Sequence, residues 1–151
     1  MRKINKIIIH CAATKEGQNF TVADITKWHK ARGFATIGYH YVIYLDGSVH
    51  TGRPESQIGA HVQGQNSDSI GICYIGGVDL NGKPKDTRTQ AQKEALKKLV
   101  KELKAKYPGA TVLGHRDYSP DRNGDGIIEE WEWMKACPSF DVRKWLKEEN
   151  I

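Results

Sequence analysis

Cysteine is scarce: the chain has three in 151 residues. An odd number at scattered positions makes no disulfide framework. It fits a reduced compartment, with thiols free for a metal or a core. Long apolar runs are also missing. No stretch approaches the ~20 residues that a membrane-spanning helix needs, so no membrane partner is expected. Met1-Arg2-Lys3-Ile4-Asn5-Lys6 lacks the apolar segment of a secretory signal. Synthesis in the cytoplasm is therefore expected. Repeats, low-complexity tracts and linkers are absent, and 151 residues suit one domain spanning 1–151. That length buries about two-thirds of the unfolded surface, enough for a core without staples. Lys and Arg number 23 against 18 Asp and Glu, a net charge of +5. The balance favours acidic partners such as nucleic acid, anionic lipid or an anionic cell wall, without choosing between them.

What is present alternates between strand and helix signals. Lys6-Ile7-Ile8-Ile9-His10 is a β-branched run that reads as a buried strand. Thr21-Val22-Ala23-Asp24 is a capping-box pattern that opens a helix ending at Gly33. Residues 38–45 alternate with aromatic and β-branched side chains. Asp46-Gly47 is a hairpin turn, and residues 48–51 return. Residues 69–75 form another apolar strand, stopped by Gly76-Gly77. Residues 89–107 carry an apolar stripe of Leu96, Leu99, Val100, Leu103 and Tyr107 at helical spacing. A short strand at Val112-Leu113 follows, and residues 140–149 close the chain as a helix. The expected fold class is α/β: a single domain with a central mixed β-sheet flanked by helices.

Six histidines are available: His10, His29, His40, His50, His61 and His115. His10 and His115 end predicted strands, the usual place for functional residues on a sheet. Cys11 follows His10 directly, so its side chain points to the opposite face. Cys73 lies within an apolar strand and reads as a small core residue. Cys137 stands in polar loop surroundings and is the best ligand candidate. Two imidazoles and one thiolate suit zinc and leave a fourth position for water. Spacing alone leaves this open against two partly exposed histidines and a core cysteine. No His-Glu-x-x-His pattern is present, so a helix-based metalloprotease site is excluded.

A longer set of motifs keeps a common order along the chain. It begins with Ile9-His10-Cys11-Ala12-Ala13-Thr14, Trp28-His29-Lys30 and Gly38-Tyr39-His40-Tyr41. It continues with Gly59-Ala60-His61, Asn66, Ser69-Ile70-Gly71-Ile72-Cys73 and Gly76-Gly77. It ends with Gly114-His115-Arg116-Asp117 and Lys135-Ala136-Cys137-Pro138-Ser139-Phe140-Asp141. On these residues the sequence resembles the type 2 N-acetylmuramoyl-L-alanine amidases, the superfamily that includes the peptidoglycan recognition proteins. Within it, the small bacteriophage amidase lysozymes are most similar. The resemblance implies that His10, His115 and Cys137 are zinc ligands. It implies that Tyr39 and Lys135 are catalytic and that His61 touches substrate. His29 and His40 match as well and are expected to be structural.

The implied chemistry is sound. Zinc polarises a carbonyl and lowers the pKa of bound water towards about 7. The tetrahedral oxyanion then needs positive charge or donors aimed at it. Lys135 could supply the charge, and the Tyr39 hydroxyl could orient the water or donate to the oxyanion.

Residues 117–134 form an insertion between His115 and Cys137. Asp121 to Glu132 fits the calcium-loop pattern at every defined position. Asp121, Asn123 and Asp125 would give side-chain oxygens, Ile127 its carbonyl, and Glu132 a bidentate carboxylate. Tyr118-Ser119-Pro120 leaves no entering helix, so a polar turn that binds nothing is the competing reading.

The expected activity is zinc-dependent hydrolysis of the amide between N-acetylmuramic acid and L-alanine in peptidoglycan, by a monomer. The expected partner is peptidoglycan or a muropeptide. A non-catalytic muropeptide-binding module is the alternative, but relatives of that kind often lack the cysteine ligand. Nucleic-acid binding through Lys93, Lys97, Lys98, Lys101 and Lys104 is a third class, and those lysines read as a solvated face. Reaching the wall without a signal would need lysis, a holin or a secretion machine. An endolysin of a phage or prophage, or a secreted antibacterial effector, would fit.

Overall fold

The computed structural model describes residues 2–119 and 136–151. Lys135 and the calcium-pattern residues Asp121, Asn123, Asp125, Ile127 and Glu132 lie outside the described residues.

The strands are β1 (Lys6–Cys11), β2 (Thr14–Lys15), β3 (Tyr41–Ile43), β4 (Val49–Thr51), β5 (Ser69–Tyr74), β6 (Gly77–Val78) and β7 (Thr111–Gly114). The helices are α1 (Val22–Ala31), α2 (Gln90–Lys106) and α3 (Val142–Glu148). Five strands form one sheet in the order β4-β3-β5-β1-β7. β1 runs parallel to β5 and β7, β3 runs parallel to β5, and β3 and β4 are antiparallel. The sheet is therefore mixed, as the hairpin signal requires. β2 and β6 pair separately. Two-residue strands carry no periodicity, so nothing in the sequence marks them.

Helix starts follow side-chain chemistry. Thr21 and Asp24 complete the expected capping box, and Thr89 and Gln92 form a second one. The last helix begins two residues later than the sequence suggests. Asp141 is extended and accepts from the Lys144 backbone N–H, so it is the cap and not part of the helix. Phe140 is buried in the loop before it.

Side-chain alternation divides β1 between two faces. Ile7, Ile9 and Cys11 join Ile70, Ile72, Leu96, Val100, Val142 and Trp145 in the main core under α2 and α3. Ile8 and His10 take the other parity. A smaller cluster of Ile25, Ile37, Val42 and Ile75 seats α1. Gln92 is fully buried, and its amide donates to the Ile43 and Ile75 carbonyls at 3.3 and 2.9 Å. This polar pin ties α2 to the ends of two strands.

The carboxyl ends of the parallel strands share one rim, where open α/β sheets bind ligands. Ile9 is paired with Gly114, so His10 and His115 leave the sheet side by side.

Candidate metal centre and cleft

His10 is 1% exposed at the end of β1. His115 begins a short 3-10 turn, residues 115–118, directly after β7. Asp117 holds that turn by accepting the Gly114 N–H at 2.9 Å. Cys137 comes from the far side of the 117–134 segment. The Arg116 N–H donates to the Cys137 carbonyl at 2.8 Å, which fastens the two pieces together. Gly114 is required here: a Cβ would come within 2.7 Å of the Pro138 ring. One donor atom each from His10, His115 and Cys137 lies within 4.8 Å of the others. Among the described residues, these three alone form such a group.

The Cys11 side chain lies in the main core, yet its backbone contributes. The Cys11 N–H donates to Cys137 Sγ at 3.1 Å, a contact that favours thiolate. Contact with the Cys11 thiol, then burial, pushes the Cys137 thiol well above its ordinary pKa. An ion binding there must displace that proton. Cys73 is fully buried in β5, as its apolar surroundings suggest.

A cleft of about 760 Å³ opens over this group, lined by Tyr39, His61, His115, Arg116 and Cys137 among others. The Tyr39 ring lies 5.0 Å from the His10 ring and 5.3 Å from His29. Burial, followed by the thiols of Cys73, Cys137 and Cys11, holds the Tyr39 hydroxyl well above its usual pKa. It is a neutral hydroxyl, able to donate.

The other histidines have defined partners. His29 Nδ1 accepts the Gly38 N–H at 2.8 Å. His40 Nδ1 accepts the Gly71 N–H at 3.0 Å, and its Nε2 donates to the Gln57 carbonyl at 2.8 Å. His29 thus ties α1 to the loop before β3, and His40 ties that loop to β5. His50 stacks on Tyr44 at 3.7 Å, on the hairpin. His61 lines the cleft, but both its ring nitrogens are engaged. Nδ1 meets His10 Nε2 at 2.8 Å, and Nε2 meets Ser69 Oγ at 3.1 Å. Sequence reasoning missed Ser69 and the Cys11 amide. A backbone donor leaves no mark on residue type, and Ser69 stands in the motif as an ordinary strand residue.

Burial lowers the pKa of His29, of His40 and of His61, the last to about 3. A histidine held neutral in the fold takes up its proton on unfolding. Stability is therefore full above the unfolded pKa near 6.5 and falls as the pH drops below it, towards the folded value. For His61 the slope is up to about 1.4 kcal/mol per pH unit. Thermal melts of chelator-treated protein should show a continuous fall in Tm from pH 7 to 5. A Tm unchanged across that window would contradict the buried, neutral assignment.

Residues 1–139 match the N-acetylmuramoyl-L-alanine amidase family. The chain belongs to that family. It is 39% identical over 150 residues to an endolysin of Klebsiella phage KP32, covering 99% of this chain and 90% of that one. It is 40% identical over 145 residues to the endolysin of Escherichia phage T7, covering 96% and 87% respectively. Among solved structures it is similar to the amidase LysC from Clostridium intestinale, with a TM-score of 0.76 and 27% identity. That match covers 99% of this chain and 87% of the other. The Drosophila peptidoglycan recognition protein LB shares the fold, with a TM-score of 0.72 at 24% identity over 97% and 81% of the two chains. This amidase is therefore similar to phage endolysins and shares its fold with peptidoglycan recognition proteins.

Proposed function

We propose that the chain is a zinc-dependent amidase that cleaves the bond between N-acetylmuramic acid and L-alanine in peptidoglycan, in the manner of an endolysin. The observation that carries this reading is the convergence of His10, His115 and Cys137, two of which, His115 and Cys137, line the cleft. Two imidazoles and one thiolate are a zinc donor set with a fourth position left for water or substrate. A bound zinc ion supplies polarisation of the scissile carbonyl and a water acidic enough to attack near neutral pH.

The chain's own groups do the rest. The Cys11 amide holds Cys137 Sγ in place. Tyr39, a residue of the cleft lining whose ring packs against His10, donates its hydroxyl to the developing oxyanion or orients the water. Lys135, two residues before Cys137, brings positive charge to the oxyanion. A binding-only module would have no use for a thiol and two imidazoles gathered to ligand distance. For residues 117–134 the proposal is a calcium ion on Asp121, Asn123, Asp125, Ile127 and Glu132, drawn from the sequence pattern. The site of action is the bacterial wall, after release from the cytoplasm.

Product analysis tests the reaction. Digestion of purified sacculi should release new L-alanine amino termini and leave glycan strands intact. New reducing sugar ends without new amines would reject the amidase in favour of a glycosidase.

A further inference from the structure

We propose that His61 is a positioning residue, whose Nδ1 accepts the Nε2 hydrogen of His10 and thereby commits His10 to binding metal through Nδ1. The proposal rests on the reading of His10, His115 and Cys137 as the zinc site. It gives His61 a different task from touching substrate.

The argument is a count of hydrogens. His10 Nε2 and His61 Nδ1 are 2.8 Å apart, a distance that needs one hydrogen between them. A neutral imidazole carries one N–H and one lone pair. The contact with His61 occupies His10 Nε2, so on the zinc reading His10 meets the ion through its other ring nitrogen. That nitrogen is Nδ1, which must carry the lone pair to bind an ion. The His10 hydrogen therefore sits on Nε2, inside the contact, and His61 Nδ1 must accept it. The His61 hydrogen is then on Nε2, where Ser69 Oγ lies 3.1 Å away to receive it. The reverse arrangement, with His61 donating to His10, places a hydrogen on His10 Nδ1 and closes it to metal.

The surroundings hold His61 to this task. Asn66 Oδ1 accepts the backbone N–H groups of both His61 and Val62 at 2.9 Å. A Cβ on Gly71 would lie 2.8 Å from His61 Cγ and Cδ2, and one on Gly59 would also lie 2.8 Å from Cδ2. The ring thus fits in a slot made by two glycines, edge-on to His10 with centroids 4.9 Å apart. A partner that orients a ligating histidine in this way typically affects metal affinity by about 10–100-fold.

The test compares His61→Phe, which keeps a ring without an acceptor, with His61→Asn, whose Oδ1 replaces the Nδ1 acceptor. Zinc affinity is read by competition with a chromogenic chelator. His61→Phe should bind zinc about 10–100-fold more weakly than the wild type, and His61→Asn should recover most of that loss. Nitrogen-15 imidazole spectra of the zinc-loaded wild type should show His10 protonated at Nε2, a readout that holds even if a variant fails to fold. Wild-type zinc affinity in His61→Phe, or a His10 hydrogen on Nδ1, would overturn the proposal and leave the zinc reading standing. A wild type that takes up no zinc would instead overturn the zinc reading, and this proposal with it.

Discussion

Cys137→Ala protein is expected to lose its zinc and, with it, amide hydrolysis on sacculi. The thiolate is one of three donors within 4.8 Å, and removing it leaves two imidazoles, too few to hold the ion firmly. The loss should exceed the 10–100-fold that follows removal of a mere supporting partner. His10→Ala should behave alike, because His10 is buried at the sheet end and its imidazole is one of the three donors. Elemental analysis of both proteins, beside their rates on sacculi, checks the assignment. Full zinc occupancy in both would show that other residues hold the metal. The fold should survive in Cys137→Ala, since the Arg116 N–H bonds the Cys137 carbonyl and not its sulfur.

Tyr39→Phe and Lys135→Ala should separate metal binding from catalysis. Each is expected to keep zinc, to remain folded, and to turn over about 10²–10³-fold more slowly, the usual effect of losing one donor aimed at an oxyanion. For Tyr39 the geometry supports this. Its ring packs against His10 and His29 and the residue lines the cleft, so phenylalanine retains the packing and removes only the hydroxyl. For Lys135 the motif beside Cys137 carries the argument. Near wild-type turnover in both variants would mean that neither group meets the reacting atoms.

Much of the fold was legible because its signals are local. The Ile7-Ile8-Ile9 run, the Thr21 capping box, the Asp46-Gly47 turn and the apolar stripe of α2 each depend on neighbours a few residues away. The strand-end positions of His10 and His115 were legible for the same reason. The register of Ile9 against Gly114, which sets the two histidines side by side, was not, because it joins residues more than a hundred positions apart. The pairing of β2 with β6 escaped for lack of length. The contacts of His61 escaped for another reason. Its residue type fits a substrate contact equally well, and only the distances to His10 and Ser69 show that both nitrogens are occupied. Opposite parity correctly separates the Cys11 side chain from His10, but that rule says nothing about a backbone N–H, and so the contact with Cys137 stayed hidden.

The central claim is that His10, His115 and Cys137 hold a zinc ion on which muramoyl-alanine cleavage depends. The most direct measurement is the rate of new amino-terminal release from sacculi by protein stripped with a chelator and then titrated with zinc. The account predicts negligible release from the stripped protein and recovery that saturates at one zinc per chain. Undiminished release from protein shown by elemental analysis to be free of metal would contradict it.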